Sequence, residues 1–274
     1  MSISIPFVAV GLALIVGACA WIGISWYRHR RFSLRALLGA TTLTAFALFV
    51  IVYHVIPLAR HRLAIHQIHS AGGEVIFRDL EPDGRRTHVR HVAADGDKEA
   101  FVIARQLDRL PEVNAVALYD GVSDAGLAAI CQIERPLSLV EMYIDPAWPI
   151  TNSGLAHLAN LQELQSLVLL GLGIDDAGVP HFKSIRGLRN LSLEQPSHRP
   201  LQVFTEKGFA EIGELIRLET LTLGCLQISD ESARNLHRLK HLKTLRLKAC
   251  GISDQALADL REALPHCDVV VQSN

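Results

Sequence analysis

The stretch GVSDAGLAAI at 121–130 returns as GISDQALADL at 251–260, and between them lie ITNSGLAHL from Ile150, IDDAGVPHF from Ile174, FTEKGFAEI from Phe204 and ISDESARNL from Ile228. The polar residue shared by these six copies falls at Asp124, Asn152, Asp176, Glu206, Asp230 and Asp254, with separations of 28, 24, 30, 24 and 24. One unit of 24 residues, lengthened twice by insertions, accounts for the whole series. A period in this range is the signature of a solenoid, in which no unit can bury its apolar face alone.

Each unit carries two patterns. LQSLVLLGLGI (164–174), LETLTLGCLQI (218–228) and LKTLRLKACGI (242–252) follow L-x-x-L-x-L-x-x-(L/C)-x-I. The L-x-L core alternates as a strand does, while the apolar residues after the Asp recur three and four apart, as in a helix. At each helix start the Asp, Asn or Glu, or the Ser or Thr before it, can accept from the free amides of the first turn. The expectation is α/β: parallel strands on a concave face and helices on a convex face. This pattern resembles the leucine-rich repeat family, most closely the cysteine-containing, ribonuclease-inhibitor-like subclass. The resemblance is tightest for 161–267. The first two copies are looser, the second with Pro146 and Pro149 in an extended loop, and the fourth inserts PSHRPLQ at 196–202. Trp148 and His198, on these insertions, are candidate rim contacts.

Residues 1–62 are a different material. No charged residue occurs in 1–27 or in 36–59, and each stretch is long enough for a bilayer span, with helices expected at about 5–27 and 36–59. Between them RHRRFSLR holds Arg28, Arg30, Arg31 and Arg35, against Arg60 and Arg62 after the second span. The excess assigns the loop to the cytoplasm and both chain ends to the other side. VGAC and ACA near Cys19 are candidate processing sites, but the segment lacks a basic start and stays apolar through Ile24, so a retained helix is expected. RFSLRALL, the second span and AIHQIHSAGGEVIF together resemble the amino-terminal module of bacterial membrane-anchored leucine-rich repeat proteins, in which the repeats lie across the membrane from the F-S-L-R segment. The resemblance implies an inner-membrane protein with an extracytoplasmic repeat domain; the added first helix departs from the usual single-span plan.

The organisation read from these features is a transmembrane hairpin at 1–62, a juxtamembrane α/β cap at 63–110 and the repeats at 111–274. In the cap, EVIFRDL and THVRHV read as strands, Lys98 to Leu110 as a helix, and DVVV after Cys267 as a closing strand. The net charge of −1 divides into +6 on residues 1–62 and −7 on the remainder. An acidic arc is a poor partner for phosphate backbones, so nucleic acid is disfavoured.

Chemistry is sparse. No nucleophile elbow, P-loop, dinucleotide fingerprint or H-E-x-x-H occurs. His61, His66 and His69 lie near the end of the second span and His88 and His91 in the cap; His66 and His69, three apart, have no acidic or thiol neighbour before Glu74 and read as a solvated face. The five cysteines form no C-x-x-C and read as structural thiols, with Cys250 under a repeat turn. Neither a cofactor nor a catalytic role is expected.

The outward positions of L-x-L-x remain. They read as Ala117 and Tyr119, Tyr143 and Asp145, Val168 and Leu170, Ser192 and Glu194, Thr222 and Gly224, Arg246 and Lys248. Tyr119, Tyr143, Val168 and Leu170 would form an apolar patch, and Arg246 and Lys248 a basic end, for a protein or other envelope macromolecule. The alternatives are a structural envelope component with no discrete ligand, or a non-catalytic part of an envelope enzyme complex.

Overall fold

A computed structural model describes residues 34–78, 89–111, 113–119, 121–134, 136–143, 150–171, 174–195 and 204–272. The first expected span, Trp148 and His198 lie outside them. The chain divides into two compact units, Met1–Ala64 and Ile65–Asn274.

In the first unit, helix α1 (Leu34–Val50) passes through a widened π turn at Ile51–Val55 into α2 (Ile56–Ala71). The Ile56 N–H donates five residues back to the Ile51 carbonyl. Pro57 explains the widening: its ring lacks an N–H and crowds the preceding turn, and a π turn opens that turn without ending the helix. Helix therefore continues well beyond Ala59, as nothing before Gly72 breaks it. Leu43, Phe46, Leu48, Phe49 and Tyr53 are each exposed by half or more, with the Phe49 and Tyr53 ring centroids 4.7 Å apart. Among the described residues one helix, Thr42–Ala71, is long and apolar enough to cross a membrane.

The second unit takes in the last turns of that helix, from Ile65 to Ala71. Gly72 takes a left-handed φ of 111°, and the Gly73 N–H donates to the Ile68 carbonyl over 3.0 Å, closing the helix end as a glycine cap does. The chain then enters one nine-stranded sheet ordered as in sequence: β1 (Glu74–Arg78), β2 (Val89–Ala94), β3 (Val113–Leu118), β4 (Leu139–Tyr143), β5 (Ser166–Leu170), β6 (Asn190–Glu194), β7 (Thr220–Gly224), β8 (Thr244–Lys248) and β9 (Asp268–Gln272). β1 pairs antiparallel with β2, and every later pair is parallel. β2 thus already belongs to the parallel stack, followed by α3 (Asp97–Gln106).

Convex segments return each strand to the next: α4 (Asp124–Cys131), α5 (Asn152–Leu155), α6 (Glu206–Gly213), α7 (Asp230–Leu236) and α8 (Asp254–Ala263). Two backs are mainly 3-10 helix, at Ala156–Asn160 and Val179–Ser184. In the latter Pro180 removes a donor from what the spacing predicts as an α-helix. Between the layers Leu167, Leu191, Leu221 and Leu245, then Leu169, Leu193, Leu223 and Leu247, are aligned by strand register and all at most 1% exposed. These two ridges are the core that no single unit could make.

His66 and His69 are exposed, as read from the sequence. His91 is not: it is 8% exposed, because β2 is flanked by β1 and β3.

Candidate functional site

Two rows of outward positions run across the strands. Register aligns Ala117, Glu141, Val168, Ser192, Thr222, Arg246 and Val270 in the first. The second aligns Tyr143, Leu170, Glu194, Gly224, Lys248 and Gln272, with Tyr119 directly after the end of β3. In β4 the register therefore places Glu141 and Tyr143 in these rows, where the sequence suggests Tyr143 and Asp145. The irregular repeat in this stretch, without a leucine at the usual place, hid the frame. Register sets Tyr143 against Leu170, not Val168.

Val168, Leu170 and Tyr119 are half-buried, whereas Ala117 is 2% exposed and contributes little surface. The basic end divides. Lys248 Nζ lies 2.8 Å from Glu194 Oε1, which also accepts from the Ser192 hydroxyl over 2.9 Å. These partners sit two strands apart, and Gly224 occupies the strand between them. A Cβ at Gly224 would meet Glu194 Cγ at 2.9 Å, so the missing side chain is what lets the carboxylate lie across β7. Arg246, one row over, is exposed and makes no ion pair among the described residues. Sequence reading missed Glu194 as Lys248's partner. The available signal was a glycine between opposite charges in one register row.

The recurring Asp has a task the sequence did not disclose. The first-turn cap is the preceding hydroxyl: Ser123, Thr151, Thr205, Ser229 and Ser253 each accept from a backbone N–H of their own helix. The Asp side chain instead reaches forward to the next unit. Asp97 accepts from the Ser123 N–H at 2.8 Å and hydroxyl at 2.6 Å, and Asp124 from the Thr151 N–H and hydroxyl at the same distances. Asp176 accepts from the Thr205 N–H at 2.9 Å and from its hydroxyl, and Asp230 from the Ser253 hydroxyl at 2.7 Å. Asn152 exchanges bonds with Asp175 in the same manner. Glu206, one methylene longer, makes no such bond with Ser229, and an open cleft of about 790 Å³ lies along this rim between Thr205 and Ser253. Gly126, Gly154, Gly178 and Gly208 complete the joint: a Cβ on any of them would come closer than 3.0 Å to the carboxylate or amide oxygen of the preceding unit. The D-x-G triplet is thus an intermolecular-style joint built within one chain.

The cysteines follow packing. Cys131, Cys225, Cys250 and Cys267 are unbridged. Burial pushes the Cys131 thiol up to about 12, and burial also raises Cys250, whose Sγ donates to the Leu223 carbonyl at 3.3 Å. Both stay protonated at neutral pH, which disfavours nucleophilic use. No cluster of three His, Cys, Asp or Glu suited to a metal occurs among the described residues.

Strand-and-helix units stacked on leucine ridges, with a one-sided sheet surface, define a leucine-rich repeat solenoid, here following a helix long and apolar enough to cross a membrane. No protein-family model matches the chain, and no curated protein sequence does. Among solved structures it is similar to a leucine-rich repeat protein of Leptospira interrogans, at 18% identity over 63% of this chain, with a TM-score of 0.37. The match spans 56% of that protein's chain.

Proposed function

We propose that the chain is a membrane-anchored interaction protein of the bacterial envelope, whose concave sheet face binds another protein or envelope macromolecule. The observation that carries this reading is the half-buried apolar surface of Val168 and Leu170, adjoining Tyr119 and the register position of Tyr143, and bordered by the Glu194–Lys248 pair. Apolar surface held on a rigid sheet and rimmed by charge is what a protein partner covers. The apolar helix at Thr42–Ala71, the arginine-rich segment before it and the F-S-L-R resemblance support anchoring with the repeats outside the cytoplasm, and the charge-free stretch 1–27 supports a second span. The role is binding without catalysis, since Ser192, Glu194 and Lys248 pair with one another on this face instead of converging on a pocket.

Replacing Tyr119, Tyr143 and Leu170 together by Ser tests the site. The variant should melt like the parent and lose capture of the partner recovered from detergent-solubilised membranes by the parent chain. Unchanged capture would move the site to the rim around Trp148 or His198.

A further inference from the structure

The last strand of the described sheet is open along one edge. β9 reads Asp-Val-Val-Val-Gln, with none of the lysine, proline or bulge that usually blunts an edge. Its Asp268 N–H donates to the Lys243 carbonyl, and its Gln272 carbonyl accepts from the Ala249 N–H. In a parallel ladder the groups alternate, so Asp268, Val270 and Gln272 turn their backbone toward β8. Val269 and Val271 turn theirs away from it. The side chain of Val271 is also uncovered, at 43% exposed, whereas its register partner Leu247 is 0% exposed, and Val269 is half-buried. The opposite end of the parallel stack differs, because the outer edge of β2 is taken by antiparallel β1. A head-to-tail continuation would therefore meet an antiparallel strand there, not another member of the parallel stack.

We propose that β9 pairs antiparallel with β9 of a second copy of this chain, about a two-fold axis passing through Val270. The sequence around Val270 reads almost the same in both directions. Antiparallel register therefore sets Val269 against the copy's Val271 and Asp268 against its Gln272, with no like charges opposed. Val269 and Val271 carry the outward N–H and C=O groups, so these residues form the hydrogen-bonded pairs, and Val270 faces its own copy as the close, non-hydrogen-bonded pair. The two sheets then merge into one surface with both concave faces on the same side, a closed isologous arrangement.

Disulfide trapping in the full chain, in detergent or nanodiscs and with the native cysteines replaced, tests the register. Val270→Cys should give a covalent dimer on mild oxidation, since paired Cα atoms about 4.5 Å apart suit a disulfide. Val269→Cys, whose counterpart is a different residue, should not. Light scattering of the parent chain should report a dimer, and Val271→Lys a monomer with unchanged circular dichroism. A monomeric parent, equal trapping at 269 and 270, or a Val271→Lys variant that stays dimeric through its helices would each overturn the proposal. If Val271→Lys does not fold, the trapping pattern alone decides.

Discussion

Ala249 and Cys225 hold left-handed φ values of 49° and 54° at the turn that ends their strands, where β5 is followed by Gly171 at φ 79°. The geometry is imposed by the ladder: the Ala249 N–H must reach the Gln272 carbonyl at 2.7 Å, and the Cys225 N–H the Lys248 carbonyl at 2.8 Å. A side chain in that conformation costs roughly 1–2 kcal/mol, part of which glycine returns through its greater freedom when unfolded. Ala249→Gly should therefore raise stability by about 0.5–1 kcal/mol, read as a higher urea midpoint at unchanged slope. A lower midpoint would mean that the Ala249 methyl contributes more packing than strain. Arg246 shows the same dependence on surroundings in its charge: it and Lys248 are alike in sequence, yet only Lys248 has Glu194 within reach.

Between elements, the joint of Asp124 with Thr151 and Gly154 is the unit of stacking. Asp124→Ala should remove two acceptor contacts and destabilise by about 1–3 kcal/mol, while Gly154→Ala should destabilise by forcing a methyl into the carboxylate. Combined, the two changes should be less damaging than their sum by about 1 kcal/mol or more, because removing the carboxylate vacates the space that the methyl needs. Strict additivity in denaturant melts would mean that the oxygen and the glycine do not share a joint. Strands, leucine ridges and the closing β9 were legible in the sequence because alternation and the 24-residue period depend on neighbours along the chain. The forward reach of Asp124 was not, since it joins residues 27 apart through a hydroxyl whose capping role looked self-sufficient. The frame of β4 was misread for the same kind of reason: Tyr143 is assigned by pairing with Leu170, and its own flanking residues give no leucine to count from.

At the scale of the molecule, the proposed topology separates the arginine-rich segment from the repeats by a bilayer. In a cysteine-free background, a reporter at Ser273 should react with a membrane-impermeant thiol reagent once any outer membrane is opened, and one at Ser33 should not. Labelling at Ser33 alone would place the repeats in the cytoplasm and redirect the search for partners there. The Asp joints bear on the history of such a chain as well as on its stability. At four junctions a carboxylate reaches forward to a capping hydroxyl that reaches back, so the units on either side carry matching halves. Duplicating or losing one whole period leaves halves that still fit, whereas an accident of half that length strands both. A lineage of these arcs is thus free to lengthen and shorten by complete steps, carrying new surface with each, without first inventing a new way to hold it.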